Sequence, residues 1–327
     1  MKYIRIILCS VLSTALCLFV FTRAVHAGTA ANIDFKKTSE FMREMETRPD
    51  FPVGMVLAHD YVYSIPAMGE KITPERRKII IDFMKSLQQQ DGGFTADKVS
   101  KDSSMLYTNH AVEILSYLNA GNGVDLNRIR SYVASLKNAD GGYGFSLKAK
   151  NSTLATTYYA VHILDELNAL SEVDRAKTVA FVKGFARKDG GFGYVKNQAF
   201  SNAQNTYFAL STLKALGMLD NDTKNNALRF LKGTPYVTGA YNLKDGGPQL
   251  VEEQVYALKA LKILNAADLV KKDKVTAMLK KFYISFNGGF GPILGFGSTP
   301  DSTTNGLRLL VEIGKLKEPA RFPLVKK

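Results

Sequence analysis

The segment Asp140-Gly141-Gly142-Tyr143-Gly144 decides the fold, because four related segments recur along the chain. They begin at Asp91, Asp189, Asp245 and Asn287, so successive copies are 49, 49, 56 and 42 residues apart. Aspartate or asparagine can bond nearby backbone amides, and a Gly-Gly pair allows positive φ, so each copy is interpreted as a turn. We expect the aromatic residue of the turn to fold back over the adjoining helices, which makes the segment structural rather than catalytic.

Helical patterns flank these turns, with apolar residues at positions i, i+3, i+4 and i+7 on both sides. One hairpin has the stripes Ile80, Phe83, Met84 and Leu87 before its turn and Ala111, Ile114, Leu115 and Leu118 after it. Residues 33–66 predict a further helix pair that lacks the turn motif and breaks at Arg48-Pro49-Asp50. The sequence therefore predicts an all-α protein of about six helical hairpins. We expect them to close into an α/α toroid, with the post-turn helices in an inner ring and the pre-turn helices in an outer ring.

The first 27 residues have the pattern of a secretory signal peptide. Lys2 and Arg5 precede an apolar run from residue 6 to residue 21, and Val25 and Ala27 are small residues before a cleavage site at Gly28. We predict a secreted or periplasmic protein, or a membrane-anchored one if the signal is not cut. The mature chain is then one toroid domain, residues 28–316, followed by a C-terminal tail, residues 317–327.

Composition narrows the possible partners. Both cysteines, Cys9 and Cys17, lie in the signal, so the mature chain has no thiolate for catalysis or metal binding. The formal net charge of +13 could favour an anionic surface. No basic block is interleaved with aromatic residues, so nucleic acid is not an expected partner. No second apolar stretch reaches the roughly 20 residues of a membrane span, so none is expected after signal cleavage.

The helices after the turns share an aromatic-Ala-apolar signature: Tyr158-Tyr159-Ala160-Val161, Tyr207-Phe208-Ala209-Leu210 and Tyr256-Ala257-Leu258. Together with the turns, this signature resembles the repeats of protein prenyltransferase β-subunits and of squalene and terpene cyclases, over roughly residues 75–315. The resemblance implies an α/α toroid whose inner helices line a central cavity, often aromatic, that receives an isoprenoid chain. It does not specify an activity, because one fold hosts many functions.

The prenyltransferase resemblance implies a zinc site built from aspartate, cysteine and histidine. The mature chain has no cysteine, and Asn205 stands near the place where the histidine is expected. Zinc-dependent thiol prenylation is therefore not expected, and neither is the cysteine thioester of related complement-type toroids. An alternative zinc site would need His59, His110 and His162 from three different hairpins, whereas lone histidines are more often packed or solvated. We predict no metal and no other cofactor.

The cyclase resemblance implies an Asp-x-Asp-Asp box at the start of an inner helix, with a protonated acid that attacks an alkene. In the nearest match Glu252 and Glu253 stand where the last two acids belong, and Leu250 replaces the first. Both glutamates are candidate catalytic residues, but neighbours on a helix point about 100° apart, so at most one can face the cavity. The alternative is a solvated pair at a helix start. Asp102 and Asp301, at other helix starts, are predicted to be N-caps.

The inner-helix faces opposite the apolar stripes predict a wall that is apolar and aromatic at one end and polar at the other. Such a wall suits a ligand with an oily chain and a polar head. The candidate substrate-binding residues are Asn109, His110, Tyr158, His162, Asn205 and Tyr207. The leading hypothesis is an isoprenoid or lipid-like ligand in the cavity, with metal-independent transferase or cyclase activity. The alternatives are a non-catalytic module that binds a protein or peptide, and a polysaccharide lyase or hydrolase that uses the same tyrosines, histidines and asparagine.

Overall fold

Twelve α-helices account for most of the chain that the computed structural model describes, namely residues 32–196, 200–234, 251–292 and 295–325. The outer helices are α1 Phe35–Arg43, α3 Pro74–Leu87, α5 Leu126–Ser135, α7 Arg175–Lys183, α9 Asn221–Lys232 and α11 Lys272–Phe282. The inner helices are α2 Met55–Ala67, α4 Met105–Tyr117, α6 Leu154–Glu166, α8 Ala203–Ala215, α10 Val251–Ile263 and α12 Pro300–Glu312. In these ranges β-pairing is limited to isolated bridges. The all-α prediction is confirmed.

The inner helices form a closed ring in which each packs on the next and α12 packs back on α2. Ser64 of α2 and Thr304 of α12 lie 2.9 Å apart, hydroxyl to hydroxyl, where the ring closes. His59 and Tyr63, one turn apart on α2, contact Glu113 and Tyr117, one turn apart on α4, in the same order. Matching order means that the two helices run parallel. The predicted closed toroid, with post-turn helices inside, is confirmed.

The glycine-rich turns join outer to inner helices by the mechanism that the sequence predicts. Asp91 Oδ1 accepts from the backbone amide of Gly93 at 2.9 Å and from the Ser103 hydroxyl at 2.8 Å. Gly92 has a φ of +92°, and a Cβ there would overlap the carbonyl oxygen of Arg128 in the first turn of α5. Only glycine combines that φ with so close an approach. The copy that begins at Asp245 lies outside the described residues.

The same turns close the outer ring. The hydroxyl of Thr178 on α7 donates to the carbonyl oxygen of Gly141 at 2.8 Å. Thr38 on α1 donates in the same way to Gly288, also at 2.8 Å. The turn at residues 287–291 therefore contacts α1, the first outer helix, in the same way as the turn at residues 140–144 contacts α7. The aromatic residues of the described turns are fully packed, as predicted: Phe94, Tyr143, Phe192 and Phe290.

The prediction that Asp102 and Asp301 are N-caps is wrong. Ser104 caps α4 and Thr299 caps α12, each accepting from the backbone amide three residues on. The residue just before the first helical turn is the one whose side chain reaches those amides. Asp102 instead makes an exposed ion pair with Lys148 at 2.7 Å. Because Asp301 does not cap the helix, its carboxyl group can interact with other side chains of the ring.

The C-terminal tail, as far as residue 325, lies over the ends of the inner helices. The backbone amide of Phe322 donates to the carbonyl oxygen of Ser116 on α4 at 3.0 Å, and the Ser116 hydroxyl donates back to the Phe322 carbonyl at 2.9 Å. Arg321 pairs with Glu166 at the end of α6 at 3.1 Å. The tail therefore covers the ring at the C-terminal ends of its inner helices. The predicted signal peptide lies outside the described residues, within which no helix has the length and apolarity to cross a bilayer.

Candidate functional site

The six inner helices each have 13 residues and enclose a region that we call the lumen. Because they run parallel, equivalent positions, counted from the first helical residue, lie at related levels. The ninth positions carry Tyr63, Glu113, His162, Ser211, Lys259 and Arg308. Glu252, Tyr256 and His162 keep some accessible surface although they face the interior, so side chains do not fill the lumen completely.

Three carboxyl groups meet at the lumen near the starts of adjacent inner helices: Asp60 of α2, Glu252 of α10 and Asp301 of α12, here the carboxyl cluster. Burial, with the negative charges of Asp301 and Glu253 nearby, raises the pKa of Glu252 to about 7. Surrounding protein atoms also raise the pKa of Asp301, although its side chain is accessible to solvent. Asp301 therefore lies in a recess. The cluster thus holds one acid, Glu252, that binds a proton near neutral pH, beside two carboxyl groups whose pKa values are also raised.

Asp60 is the most enclosed member of the carboxyl cluster, with 1% of its surface exposed. Burial, followed by the charge of Asp301, raises the pKa of Asp60 well above its usual value. Its Oδ2 atom has no hydrogen-bond partner among the described residues. Burying a carboxylate oxygen without a hydrogen-bond partner is costly, so the environment of Asp60 disfavours its ionised form, which a hydrogen bond with Thr304 and the charge of Arg308 only partly offset.

Arg308 of α12 is the cation that faces the carboxyl cluster, and its charge partly offsets the raised pKa values of the three acids. Its guanidinium donates to Asn305 Oδ1 at 3.3 Å, and the Asn305 amide donates to Asp301 Oδ1 at 3.4 Å. Arg308 also lies 3.3 Å from His59 Nδ1. These contacts hold the guanidinium further from the starts of the inner helices than the carboxyl cluster.

Glu253 occupies a different environment from its neighbour Glu252. Its carboxylate accepts from the backbone amide of Ala203 at 3.2 Å, at the start of α8. A carboxylate at a helix start accepts a hydrogen bond from a free backbone amide and interacts favourably with the helix dipole. Of the two candidate catalytic residues, the structure therefore places Glu252 in the carboxyl cluster and Glu253 at a helix cap, as the angle between neighbours requires. Leu250 lies outside the described residues.

Aromatic side chains of α6, α8 and α10 form the wall beside the carboxyl cluster. The hydroxyls of Tyr158 and Tyr207 lie 3.3 Å apart, and the Tyr158 ring stacks on Phe208 with centroids 4.5 Å apart. Tyr256 follows, with its ring centroid 5.6 Å from that of Tyr207. Burial raises the pKa of Tyr158, Tyr159 and Tyr256, so the phenols stay neutral. Their faces are electron-rich and attract cations.

Below the aromatic wall lies a polar group of histidines and their partners. His162 Nδ1 is 2.7 Å from Asn109 Oδ1, and its ring stacks on Tyr158. His110 stacks on His59 with centroids 4.5 Å apart. Burial lowers the pKa of His162 to about 4 and, with the neighbouring His59, lowers that of His110 to about 3. These imidazoles are therefore neutral at physiological pH.

His59 and Glu113 form the closest polar pair of this group, with His59 Nε2 2.9 Å from Glu113 Oε2. Burial lowers the pKa of His59. Burial opposes ionisation of Glu113, yet the hydrogen bond from His59 holds the pKa of this carboxyl well below its usual range. The pair is best described as a neutral imidazole that donates to a carboxylate and accepts from Arg308.

Five of the six predicted substrate-binding residues meet in the lumen: Asn109, His110, Tyr158, His162 and Tyr207. Asn205 does not join them, since it is buried at the start of α8, where its side-chain amide donates to the cap residue Asn202 at 2.9 Å. Among the described residues no group of three or more histidine, cysteine, aspartate or glutamate side chains is placed to hold a metal ion.

Sequence reasoning missed Asp60 and Arg308 as interior residues. Both could have been found by aligning the inner helices position by position. Asp60 stands at the sixth position, like Tyr159 and Tyr256, and Arg308 stands at the ninth, like His162.

Comparison with known proteins agrees with this architecture. The family model described as the prenyltransferase alpha-alpha toroid domain matches residues 55–149 and 145–321, so the chain belongs to this family. The resemblance inferred from the turns is thereby confirmed. A search of curated proteins gives no significant match.

Solved structures show the same fold at low sequence identity. The Candida albicans protein geranylgeranyltransferase-I complexed with GGPP is similar with a TM-score of 0.71 and 14% identity, covering 88% of this chain and 94% of that one. A variant of the type II terpene cyclase MstE from Scytonema, in complex with geranylgeranyl dihydroxybenzoate, has a TM-score of 0.57 and 12% identity, covering 86% and 95%. A protein from Actinoplanes has a TM-score of 0.58 and 13% identity, covering 86% and 99%.

Proposed function

We propose that the lumen binds an isoprenoid or similarly unsaturated lipid-like chain and that the carboxyl cluster protonates it, as in an acid-initiated cyclisation. One observation carries the proposal: Asp60, Glu252 and Asp301 meet on the interior of the ring, beside a wall of neutral tyrosines. The toroids that it resembles include one complexed with GGPP and one complexed with geranylgeranyl dihydroxybenzoate, which supports an isoprenoid as the ligand.

The proposed chemistry needs a proton donor, a site for a cation and a path for proton loss. A carboxylic acid of the cluster donates its proton to one carbon of a double bond, so that a C–H bond forms and the other carbon becomes a cation. A second double bond of the same chain attacks this cation and closes a ring. Loss of a proton to water restores a double bond, and the carboxylate regains a proton from solvent. The product is therefore an isomer of the substrate.

Each part of the lumen has a role in this reaction. Glu252 is the proposed donor because it is both accessible and protonated near neutral pH, whereas Asp60 is enclosed. Tyr256 and Tyr158 stabilise the cation through their ring faces. His162 and Asn109 bind a polar end of the chain by hydrogen bonds. A transferase of the zinc-dependent kind fits less well, since the mature chain that we predict has no cysteine.

Isotope incorporation tests the activity. Geranylgeraniol, geranylgeranyl diphosphate and squalene are each incubated with the protein in D2O and analysed by mass spectrometry. A cyclised product must carry one deuterium from the acid, whereas unreacted substrate carries none. Glu252→Gln should abolish product while native mass spectrometry still detects the bound chain, and Glu253→Gln should retain turnover. Binding without any product would refute the proposed protonation and leave only the binding of a lipid-like chain, and no binding of any chain would refute the whole proposal.

The proposal includes export of the protein, because residues 1–27 have the pattern of a signal peptide. Cell fractionation and intact mass measurement test this part. The main species should lie outside the cytoplasm and begin at Gly28. A full-length species retained in the cytoplasm would contradict it.

A further inference from the structure

Exposed apolar side chains are concentrated in one kind of segment. Thirteen large hydrophobic residues are exposed in the described part of the chain, and eight of them lie in the segments that lead from an outer helix to the next inner helix. These eight residues, here the collar, are Val99, Phe145, Leu147, Tyr194, Val195, Phe200, Phe286 and Phe296. Phe286 is 90% exposed, Val99 84% and Phe200 76%, which is unusual for residues of this size.

The collar lies at one end of the lumen, because the four segments that carry it all lead to the starts of parallel inner helices, namely α4, α6, α8 and α12. Neighbouring segments also bind the starts of inner helices directly. The carbonyl oxygen of Ala96 accepts from the backbone amide of Met55 at 2.7 Å, and that of Phe145 accepts from Met105 at 2.8 Å. Glu252 and Asp301 lie at the same end, so the collar lies at the end of the ring that holds the carboxyl cluster.

The opposite end of the ring is different. The C-terminal tail covers it through the contacts of Arg321 and Phe322 with α4 and α6. In the connections from inner to outer helices and in the tail, the described residues include two exposed large hydrophobic side chains, Met218 and Phe322. Among the described residues, exposed apolar side chains are therefore concentrated at the end where the inner helices begin and do not result from a uniformly apolar exterior.

The collar segments also carry excess positive charge. The described residues of the segments that carry the collar are 88–104, 136–153, 184–196, 200–202, 283–292 and 295–299, and they contain eight basic and five acidic residues. Residues 44–54, which lead to α2 and carry none of the collar, contain one basic and three acidic residues. Three of the acids are Asp91, Asp140 and Asp189, whose carboxylates are engaged by backbone amides of the turns. Lys101, Lys150 and Lys188 extend into solvent beside the apolar side chains. Aromatic and aliphatic side chains interspersed with lysine are the composition that binds anionic lipid surfaces.

We infer that the collar docks this end of the ring onto an anionic lipid bilayer. The apolar side chains insert into the interface, and the lysines approach the anionic head groups. The route of the ligand rests on the proposed function: a lipid-like chain would pass between bilayer and lumen without crossing water. Docking itself requires no ligand and is tested without one.

The absence of tryptophan from the whole sequence allows a direct test of which end contacts lipid. Phe200→Trp places one tryptophan in the collar, and Met218→Trp places one at the opposite end. Both full-length variants are mixed with vesicles of phosphatidylcholine and phosphatidylglycerol, with and without brominated acyl chains. We expect the collar tryptophan to shift its emission to the blue and to be quenched by bromine. The tryptophan at position 218 should do neither. An N-terminal segment that anchored the chain would not reproduce this difference.

A second substitution tests whether the apolar side chains provide the affinity. In the Phe200→Trp background, Phe296→Ser should raise the lipid concentration needed for half-maximal quenching about tenfold, because burying one phenylalanine is worth roughly that factor. Met218→Ser in the same background should leave it unchanged. Quenching should also weaken in vesicles of phosphatidylcholine alone.

Three results would overturn the inference. The collar tryptophan could remain in water at every lipid concentration. Both tryptophans could be quenched equally. The emission of the collar tryptophan could shift with protein concentration in the absence of vesicles, which would assign the collar to contact between copies of the chain. Failure of turnover in the deuterium experiment would leave the docking result unaffected, so the two proposals fail separately.

Discussion

Glu252 offers a sharp physical prediction, because its pKa of about 7 lies above the ordinary value of 4.5. A carboxyl group whose pKa is raised by folding binds its proton more tightly in the folded state. Between these two values the folded protein holds more protons than the unfolded chain. The contribution of Glu252 to the free energy of unfolding should therefore fall as the pH rises through this window, and this contribution should be constant on either side.

The size of this effect follows from the difference between about 7 and 4.5. At about 1.4 kcal/mol for each pKa unit, the ionised Glu252 side chain costs the folded state about 3 kcal/mol above neutral pH. Glu252→Gln keeps the shape of the neutral acid and removes the titration. The variant should match the parent protein at about pH 4 and be more stable by up to about 3 kcal/mol at about pH 8.

Urea unfolding followed by circular dichroism measures this difference across the pH range. Asp60, Asp301 and Glu253 also have raised pKa values, so the difference between parent and variant, not either curve alone, isolates Glu252. Glu40→Gln makes the same chemical change on the exposed face of α1 and serves as the matched control. A flat difference for Glu252→Gln, or equal destabilisation at every pH, would show that Glu252 is not held in a protonating environment.

Two further predictions concern the scaffold. Gly92→Ala should lower the free energy of unfolding by more than Gly217→Ala. Both substitutions place alanine at a positive φ, which alone costs about 1–3 kcal/mol, but only the Cβ at position 92 would overlap a neighbouring backbone. Equal losses in urea denaturation would contradict the close-approach argument. Arg321→Ala should speed amide hydrogen exchange in the tail by removing the 3.1 Å pair with Glu166, whereas Lys317→Ala, exposed in the same tail, should not. Unchanged exchange in the Arg321 variant would show that the pair does not hold the tail.

The repeat shows how far sequence alone carries the fold. Five phased turns with helical stripes on both sides predict hairpins, because Gly-Gly turns and apolar periodicity are local properties. The missing motif in residues 33–66 did not hide the first hairpin, since the break at Arg48-Pro49-Asp50 still separates two helical segments. The closed ring could also be predicted, because each hairpin buries one face only against its neighbours.

The candidate site was predicted less completely, and its errors have physical causes. Tyr158 and Tyr207 lie at the equivalent fifth positions of α6 and α8, and His162 lies one turn further along α6, so a periodic argument finds them. Asn205 was predicted to bind substrate, but helix capping takes up its side chain. Asp301 was predicted to be a cap, but Thr299 takes that role. The polar residue that caps a helix is the one just before its first turn. The cap can therefore be assigned only when the start of the helix is known to within one residue.

The order of turns and stripes in the sequence by itself determined the number of hairpins, which helices lie inside and the aromatic character of the wall. The tertiary structure alone decided that Asp60, Glu252 and Asp301 share one end of the lumen, since these residues lie up to 241 positions apart in the chain. It also decided that Glu252, not Glu253, belongs to the cluster. The reason is that local structure follows from neighbours in sequence, whereas proton affinity follows from burial and from charges that only ring closure brings together.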